Sequence, residues 1–344
     1  MHRFLKNSIV FIALLAILIT PRFALAQATP KASPAAAEQI QSAADWIAAQ
    51  QGDDGAWLGF SGTSDVGVTI DAVLALAAAR NAGAEVDLDS ATAYLQDNAA
   101  NYANSGSGAA AKTALAAVAI GQDPRDFADV DPFALSTASY NGSTNLYGSG
   151  VYDTALVMLA YGALGEGVPG VIVDSIRNLQ IGDGSWAFDG TTTVGNGDTN
   201  TTAIVIQALV ATNEVEGDMI LHGLEYLADT QLRDGFPFQQ GSGAVADGNS
   251  TGIVVQALIA AGEDPGAVKW QNVAGQLDRF QNDDGSFTYQ LDPRDDNLYA
   301  TLQDLPALAA QPFPIGAATD QPVALPTCPP DQVATPTDEL QCAA

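Results

Sequence analysis

Positive charge is scarce in this 344-residue chain, which has 12 lysines and arginines against 40 aspartates and glutamates. Three of the basic residues, Arg3, Lys6 and Arg22, lie within the first 26 residues, so 9 basic and 40 acidic residues remain after them, a net charge of −31. A surface this acidic repels phosphate backbones and anionic lipids. We therefore expect neither nucleic acid nor a membrane surface as a partner.

Cysteine and long apolar runs are scarce too. The two cysteines, Cys328 and Cys342, lie near the C-terminus. There they can close a small disulfide loop or pair with another chain, but they cannot staple a core. The apolar run Ile9–Ile19 is shorter than the roughly 18 residues of a membrane span, and no longer run follows it. We expect a protein that is not embedded in a membrane.

The two ends of the chain differ from its middle. Residues 1–26 have a basic start, an apolar run and Ala24-Leu25-Ala26 before Gln27, which predicts a secretory signal and a secreted or extracytoplasmic protein. Residues 27–34 are predicted as a short linker. Residues 311–344 contain seven prolines and predict a flexible tail. One domain, residues 35–310, lies between them.

A short pattern recurs four times: QGDDGAW at 51–57, QIGDGSW at 180–186, QLRDGF at 231–236 and QNDDGSF at 281–287. The last two intervals between the glutamines are 51 and 50 residues, whereas the first is 129. The long interval leaves room for two degenerate copies, for which residues 95–97 and 139–150 are candidates. Six units of this length indicate a repeat architecture.

Two kinds of helical segment flank the pattern. Amphipathic segments precede it, at 38–50, 219–231 and 270–281, and nearly all-apolar segments follow it, at 66–79, 154–164, 202–211 and 251–261. Amphipathic helices lie at a surface, whereas helices that are apolar all round are buried. The sequence therefore predicts an all-α fold of six helical hairpins that close into an α6/α6 double-walled barrel. An open superhelical solenoid is the alternative topology.

The repeated Gln-x-x-x-Gly-x-Trp/Phe pattern resembles the QW motif of squalene/hopene cyclases and protein prenyltransferase β-subunits, whose fold is the α/α toroid. The resemblance covers nearly all of residues 35–310. It implies that the glutamine holds backbone at a helix end and that the aromatic residue stacks nearby. Trp57, Trp186 and Phe287 are accordingly predicted to pack in the core and not to bind a ligand.

Polar residues mark the predicted starts of the inner helices, which should all meet at one mouth of the barrel. N-capping explains part of this polarity. A second polar residue follows seven positions later in four helices, in the pairs Ser64/Asp71, Asn200/Gln207, Asn249/Gln256 and Asn297/Asp304. Seven residues are two helical turns, so each pair should share a face. Gln207 and Gln256 either bond neighbouring helices or help line a central pocket. The predicted ligand-binding set is Asp65, Asp71, Asp153, Asp198, Asn200, Gln207, Asn249, Gln256 and Asn297.

Each chemistry known from the related enzymes needs at least one residue that this sequence lacks. The class II cyclase motif Asp-x-Asp-Asp-Thr-Ala corresponds to Asp198-Thr199-Asn200-Thr201-Thr202-Ala203, which puts an amide where the proton donor would be. Prenyltransferase zinc would need a cysteine in the barrel and a histidine beyond His222, which is predicted on an outer helix. The thioester sequence Cys-Gly-Glu-Gln is absent. No catalytic or metal-binding residue is predicted, and an enzyme with a degenerate cyclase-like motif is the alternative.

Two further chemistries rank lower. Asn196-x-Asp198-x-Asn200 resembles the start of a calcium loop but lacks the following Gly and the closing Glu. Cleavage of glycans by paired carboxylates would need Asp153, Asp198 and Asp247 to face one another, which no spacing shows.

In character the chain is nearest to the cobalamin carriers of this superfamily, the intrinsic factor and transcobalamin family. Those proteins are exported and non-catalytic, and they hold an amide-fringed corrin at the barrel mouth. The resemblance implies a monomeric ligand-binding or interaction protein whose partner is a small polar ligand, cobalamin among the candidates, or an extracellular protein. A purely structural role in the cell envelope is a third class. The family covers its ligand with a β-rich second domain, which residues 311–344 are too short to form.

Overall fold

The computed structural model describes residues 34–215, 217–317, 333–335 and 341–343. The predicted signal at 1–26, the rest of the linker before residue 34, and Cys328 lie outside the described residues. Two units are present, one spanning Lys31–Pro322 and the other combining Met1–Pro30 with Val323–Ala344.

Helices build the larger unit, in alternating outer and inner positions. The outer helices are α1 (Pro34–Ala48), α3 (Asp89–Ala103), α5 (Pro132–Ala138), α7 (Gly170–Asn178), α9 (Met219–Thr230) and α11 (Val273–Leu277). The inner helices are α2 (Val66–Asn81), α4 (Ser107–Ala119), α6 (Val151–Ala163), α8 (Thr199–Ala211), α10 (Gly248–Ala260) and α12 (Leu298–Leu308). Short 3-10 turns, Val268–Trp270 and Asp278–Phe280, flank α11.

The inner helices form a closed ring. Each packs against the next in chain order, and α12 packs back against α2. Alanine makes this close approach possible: in α2 the residues Ala75, Ala77, Ala78 and Ala79 are all fully buried. The all-α, α6/α6 toroid predicted from the sequence is confirmed, and the open solenoid is excluded. No helix in the described part of the chain is long and apolar enough to cross a membrane.

Three of the four repeated glutamines, all except Gln51, tie one hairpin to the next. Gln180 Nε2 donates to the Gly184 carbonyl in its own loop and, at 2.9 Å, to the Met219 carbonyl at the start of α9. Gln231 Nε2 reaches the Trp270 carbonyl at 2.8 Å in the same way. The amide group thus satisfies carbonyls in two consecutive repeats.

The aromatic residues of the pattern are buried, as expected for packing. Trp57, Trp186 and Phe287 have no exposed surface. Each tryptophan indole N–H donates to the end of the preceding outer helix, Trp57 to the Ile47 carbonyl and Trp186 to the Ile176 carbonyl, both at 2.8 Å. Their rings therefore fix the angle between the two helices of a hairpin.

Threonine completes this connection from the inner helix. The Trp57 backbone N–H donates to Thr69 Oγ1 at 3.1 Å, and Thr69 occupies the fourth position of α2. Equivalent threonines accept from the aromatic position in four further repeats: Thr154, Thr202, Thr251 and Thr301. One hydroxyl per repeat satisfies a buried N–H that no helix or strand would otherwise pair.

The glycine of the pattern is needed for close approach. Gly184 has φ +91°, and a Cβ built on it would lie 2.2 Å from the His222 carbonyl oxygen of α9. A Cβ built on Gly285 would likewise lie 2.3 Å from the Ser42 carbonyl oxygen of α1. A side chain at either position would push the next outer helix away.

Three two-stranded antiparallel ladders precede inner helices. Trp57–Leu58 (β1) pairs with Ser64–Asp65 (β2), Trp57 opposite Asp65. Tyr140–Asn141 (β3) pairs with Leu146–Tyr147 (β4), and Phe287–Thr288 (β5) pairs with Asp296–Asn297 (β6). The ladder β3–β4 lies in the segment 139–150 proposed as a degenerate repeat, and its Tyr147 N–H donates to Thr154 as the motif aromatics do.

Two predictions, one of a degenerate repeat and one of a helix, need correction. Residues 95–97, the other candidate repeat, lie inside α3 and form no turn. The outer segment 270–281 is not one helix, because Gln271 and Asn272 adopt left-handed conformations with φ 49° and 56°. Asn272 then caps the short α11 by accepting the Gly275 N–H.

Residues 311–317, which we call the strap, pack on the barrel, although the sequence predicts a flexible tail from residue 311. The Phe313 N–H donates to Gln207 Oε1 at 2.9 Å, and Asn81 Nδ2 donates to the Gly316 carbonyl at 2.8 Å. Ile315 is only 1% exposed. The packed part of the chain therefore extends to at least residue 317.

The smaller unit contributes one antiparallel pair to the described residues. Val333–Thr335 (β7) pairs with Gln341–Ala343 (β8), and Ala334 stands opposite Cys342.

Removing the ring-closing glutamine should destabilise the protein more than removing its counterpart in the first repeat. Gln281 Nε2 donates to the Gln39 carbonyl of α1 at 2.9 Å and to Gly285 at 3.3 Å, whereas Gln51 Nε2 donates to Gly55 in its own loop. We expect Gln281→Ala to lower the free energy of unfolding by about 1–2 kcal/mol and Gln51→Ala by at most about 1 kcal/mol. Urea unfolding measures both, and equal losses would show that the bond between the last and first repeats contributes nothing.

Candidate ligand site

The six inner helices begin at one end of the barrel, which we call the mouth. The loops before α8, α10 and α12 are each bonded to the start of the preceding inner helix. The Tyr152 N–H donates to the Phe188 carbonyl at 3.3 Å, and the Thr199 N–H donates to the Phe238 carbonyl at 2.9 Å. The Gly248 N–H donates to the Tyr289 carbonyl at 2.9 Å. These bonds hold the loops of the mouth in fixed positions.

Three of the predicted site residues are N-caps. Asp65 Oδ1 accepts the Val68 N–H at 2.9 Å, Asp198 Oδ1 accepts the Thr201 N–H at 2.6 Å, and Asn297 Oδ1 accepts the Ala300 N–H at 2.9 Å. Asp247 caps α10 in the same way. The capping explanation is correct for these positions, since each side chain satisfies a helix N–H that lacks an intrahelical partner.

Burial changes the acidity of two of these caps. Asp198 and Asp247 are each only 3% exposed. Burial raises the pKa of Asp198 despite the bond from Thr201, and it raises the pKa of Asp247 to about 6 despite the bonds from Ser250. Both carboxylates are occupied by their own helices. Among the described residues, no group of three or more His, Cys, Asp and Glu is placed to hold a metal ion.

Asp153 serves the loop before α6. Its Oδ2 accepts the Ser149 N–H at 2.8 Å and the Ser149 hydroxyl at 2.7 Å. Its carboxylate also fills the space beside Gly108 of α4, where a Cβ would lie 2.4 Å from Oδ1. Asp153 therefore connects two neighbouring inner helices at the mouth.

A cavity of about 150 Å³ lies inside the ring of inner helices. All six inner helices and the strap contribute to its wall. The lining residues are Asp71, Leu74, Lys112, Leu115, Tyr152, Leu156, Ile204, Ile253, Gln256, Leu302, Gln303, Pro306 and Phe313. Most of the wall is aliphatic, and its polar groups are few and separate. A concave, largely apolar site with a few polar groups is the usual form of a small-molecule pocket.

The charged group of the cavity is an ion pair, of which only one member was predicted from the sequence. Asp71 was predicted to face the lumen, and it does so, 2.6 Å from Lys112 Nζ. The two side chains are 33% and 24% exposed. Burial disfavours the charged form of Lys112, but the Asp71 carboxylate outweighs this effect and raises its pKa. Lys112 went unpredicted, although a lone lysine in the apolar helix α4, at the same sixth position as Asp71 in α2, was a usable signal.

Two of the four predicted polar pairs have the expected register. Asn200 and Asn249 occupy the second positions of α8 and α10, and Gln207 and Gln256 follow two turns below them. Asn200 and Asn249 are half-buried, whereas Gln207 and Gln256 are at most 1% exposed. The helical period therefore places both pairs on one face of their helices.

Some amide atoms of these pairs bond the protein, and others have no hydrogen-bond partner. Gln207 Oε1 accepts from Phe313 of the strap, and Gln256 Nε2 donates to the Gln303 carbonyl at 3.1 Å. Three amide atoms of the two aligned pairs are buried and have no hydrogen-bond partner within the described ranges: Gln207 Nε2, Gln256 Oε1 and Asn249 Oδ1. Each unsatisfied buried group costs about 1–3 kcal/mol. A bound ligand could recover that cost at Gln256, which lines the cavity.

The other two pairs do not line the lumen together, because only Asp71 does so. Ser64 is exposed in β2 and donates to Asp54 Oδ2 at 2.6 Å. Asn297 lies before the first residue of α12, so Asp304 occupies the seventh position, two residues short of the ninth position of Gln207 and Gln256, and it points at α10. A Cβ on Gly252 would lie 2.1 Å from Asp304 Oδ1. The prediction of two polar layers in all four helices is wrong in these two.

Exposed aromatic rings surround the mouth at corresponding positions of four repeats. Phe60, Phe188, Phe238 and Tyr289 follow the buried aromatic of their repeats by two or three residues, and they are 92%, 51%, 50% and 44% exposed. Phe60 stacks on Tyr299 at 4.3 Å between ring centroids, and Phe188 stacks on Tyr152 at 5.4 Å. This rim was not predicted, although a second aromatic residue recurs in the sequence of three repeats.

Comparison with known proteins gives a fold likeness. No protein-family model and no curated protein matches the sequence. Among solved structures, the type II terpene cyclase MstE from Scytonema matches with a TM-score of 0.59 and 14% identity, over 80% of this chain and 97% of the cyclase. Haptocorrin in complex with Cbi matches with a TM-score of 0.56 and 14% identity, over 85% of this chain and 71% of haptocorrin. A glycosidase matches with a TM-score of 0.53 and 12% identity, over 82% of this chain and 100% of the glycosidase.

These neighbours define the class of the molecule as an α/α toroid. Identities this low show the fold alone, and one fold can carry unrelated functions. A terpene cyclase, a glycosidase and haptocorrin illustrate that range. The function of this chain must therefore be argued from its own cavity and mouth.

Replacing Asp304 by its neutral isostere should stabilise the protein increasingly as the pH rises. Asp304 is fully buried, neither carboxyl oxygen has a hydrogen-bond partner within the described ranges, and burial together with Asp247 raises its pKa well above the ordinary value. The folded pKa of Asp304 exceeds the unfolded value of about 3.9. The contribution of Asp304 to the free energy of unfolding is therefore fully present below about pH 4 and is lost as the pH rises toward the folded pKa.

Urea unfolding of the wild type and Asp304→Asn at pH 4, 6 and 8 measures this difference. We expect similar midpoints at pH 4 and a higher midpoint for Asp304→Asn at pH 8. The matched control is Asp97→Asn, on the exposed face of α3. A difference between wild type and Asp304→Asn that does not change with pH would contradict the assignment of a neutral carboxyl.

Proposed function

We propose that the chain is a non-catalytic binding protein that takes a small amphiphilic ligand into the barrel through the mouth. The observation that carries this proposal is the cavity of about 150 Å³, whose aliphatic wall contains the unpartnered, buried Gln256 Oε1. An empty apolar cavity would need no such acceptor, and burying one without a partner is unfavourable. A ligand hydroxyl or amine would satisfy it.

Size and polarity restrict the ligand. A cavity of about 150 Å³ lined by aliphatic side chains can hold a molecule near the size of benzene. The Asp71–Lys112 pair and Gln256 lie on different inner helices. The pair occupies the sixth helical position and Gln256 the ninth, so polar groups of the ligand can be met at two heights. A long hydrocarbon would exceed the volume and would leave Gln256 unsatisfied.

Cobalamin fits the mouth better than the cavity. A corrin with its amide side chains is far larger than the space inside the ring, so it could only lie across the rim. There the half-buried amides Asn200 and Asn249 and the rings of Phe188 and Phe238 offer hydrogen bonds and flat apolar contact. The structure of haptocorrin in complex with Cbi motivates this variant of the proposal.

A cyclase-like enzyme remains the second candidate because two buried mouth acids have raised pKa values. Asp247, with a pKa raised to about 6, would hold a proton in mildly acidic conditions. Its oxygens, however, accept from the Ser250 N–H and hydroxyl at 2.8 and 3.0 Å. Asp198 is likewise bound to Thr201, and Asn200, two residues after it, is an amide. A proton donor must reach the reacting atom, and these carboxyls are already occupied.

The proposed setting is outside the cytoplasm. The pattern of residues 1–26 and the net charge of −31 after them support an exported protein, acting as a monomer on a small ligand or on an extracellular partner. The acidic surface keeps copies of the protein apart.

A titration with 1-hexanol tests binding in the lumen. Hexanol combines an apolar body of six carbons with one hydroxyl that can donate to Gln256. We expect saturable binding in the high micromolar to millimolar range by ligand-observed NMR. Leu115→Phe, which fills the cavity from α4, should abolish it, whereas Leu221→Phe on the exposed face of α9 should not. Equal binding by both variants would place hexanol elsewhere.

A calorimetric titration with cobalamin tests the rim. If the corrin lies across the mouth, the double variant Asn200→Ala, Asn249→Ala should weaken binding at least about tenfold, because two hydrogen bonds are worth about 1–3 kcal/mol. Leu115→Phe, below the rim, should leave this binding unchanged. No heat at high micromolar cobalamin would limit the resemblance to the cobalamin carriers to the fold.

A further inference from the structure

The strap crosses the end of the barrel opposite the mouth. It leaves α12, contacts α8 through Gln207, and reaches the last residue of α2 through the bond from Asn81 to Gly316. Ala317 then approaches Gly121, just beyond the end of α4, where an added Cβ would lie 3.6 Å away. In the ring order, α8 and α2 lie on opposite sides. The seven residues therefore span the diameter of the lumen.

Phe313 is the part of the strap that enters the cavity. Its side chain lines the wall together with Leu74, Leu115 and Pro306, the residues furthest from the mouth. Ile315, two residues later, is 1% exposed and anchors the segment in the core. The strap is thus a packed component of the barrel and not a loose covering.

Gln207 and Gln256 show what the strap does. They occupy the same ninth position of α8 and α10. Gln207 uses its oxygen to hold the Phe313 N–H at 2.9 Å, whereas the buried Gln256 oxygen has no hydrogen-bond partner within the described ranges. One glutamine therefore positions the strap, whereas its counterpart in the next repeat lines the cavity.

We propose that the strap is the floor of the ligand site and that Phe313 sets the length of ligand the lumen accepts. This inference rests on the proposed function. It deepens that function by naming the ligand class: unbranched amphiphiles with a hydroxyl or amine and an apolar body of about six carbons, the size the cavity of about 150 Å³ allows. Phe313 is a specificity-determining residue, and Gln207 is the residue that positions it.

A series of 1-alkanols from butanol to decanol tests the floor. In the full chain, ligand-observed NMR should show affinity that rises roughly fourfold for each added methylene while the chain is buried. The rise should stop near six carbons, where the cavity bounded by Phe313 is full. In Phe313→Ala the floor recedes, and the rise should continue for about two or three more carbons.

Two variants keep the test independent of folding. Phe313→Leu retains an apolar floor of smaller size and should move the limit by about one carbon in the same direction, so it replaces Phe313→Ala if that variant does not fold. Phe133→Ala removes a buried ring of the outer helix α5 and should leave the limit where it is. Gln207→Met removes the acceptor of the Phe313 N–H and should make the limit less sharp.

The outcomes separate the floor from the binding proposal. If the wild type binds no alkanol of any length, the proposed function is wrong. If the wild type binds alkanols and the limit is unchanged in both Phe313→Ala and Phe313→Leu, binding stands and the floor assignment is wrong. A limit that also moves in Phe133→Ala would show a general loosening of the barrel and would likewise overturn the assignment.

Discussion

Closure of the ring is the constraint on which the rest of the molecule depends. Six hairpins leave no free edge only if α12 packs on α2 and the last repeat bonds to the first, as Gln281 does to Gln39 across the whole domain. The lumen, the common mouth and the floor exist only in the closed form. Small side chains make closure feasible, because the backbones of α2 and its neighbours must approach closely at close-packed density.

Most of the fold was predictable because its determinants are local and repeated. A glutamine, a glycine with positive φ and a buried aromatic recur in one short segment, and a threonine four residues into the next helix completes the connection. Where the local signal was weak, prediction was wrong. Residues 95–97 imitate the pattern inside a helix, and Gln271 and Asn272 break an amphipathic segment through left-handed conformations that its hydrophobic period does not reveal.

The candidate site was predicted only in part, since it combines periodic and aperiodic residues. Helical spacing correctly placed Asn200 above Gln207 and Asn249 above Gln256. The same count failed for Asn297 and Asp304, because Asn297 lies just outside its helix. Lys112 belongs to the one repeat without a recognisable motif, and Phe313 lies beyond the last repeat. No period relates Phe313 to the other residues, and Lys112 shares only its sixth helical position with Asp71, yet both form the wall of the cavity.

Function in a repeat barrel must come from positions where the repeats differ, because identical positions serve the common scaffold. The threonines and buried aromatics are equivalent around the ring and hold it together. The sixth positions differ: Asp71 and Lys112 form one ion pair and Gln303 carries an amide, whereas Leu156, Ile204 and Ile253 are apolar, so the polar groups are unevenly distributed around the lumen. The strap adds a second difference between the repeats, because Phe313 bonds the Gln207 oxygen and leaves the Gln256 oxygen without a partner. An asymmetric lumen with one open acceptor can orient a ligand, which a six-fold symmetric one could not.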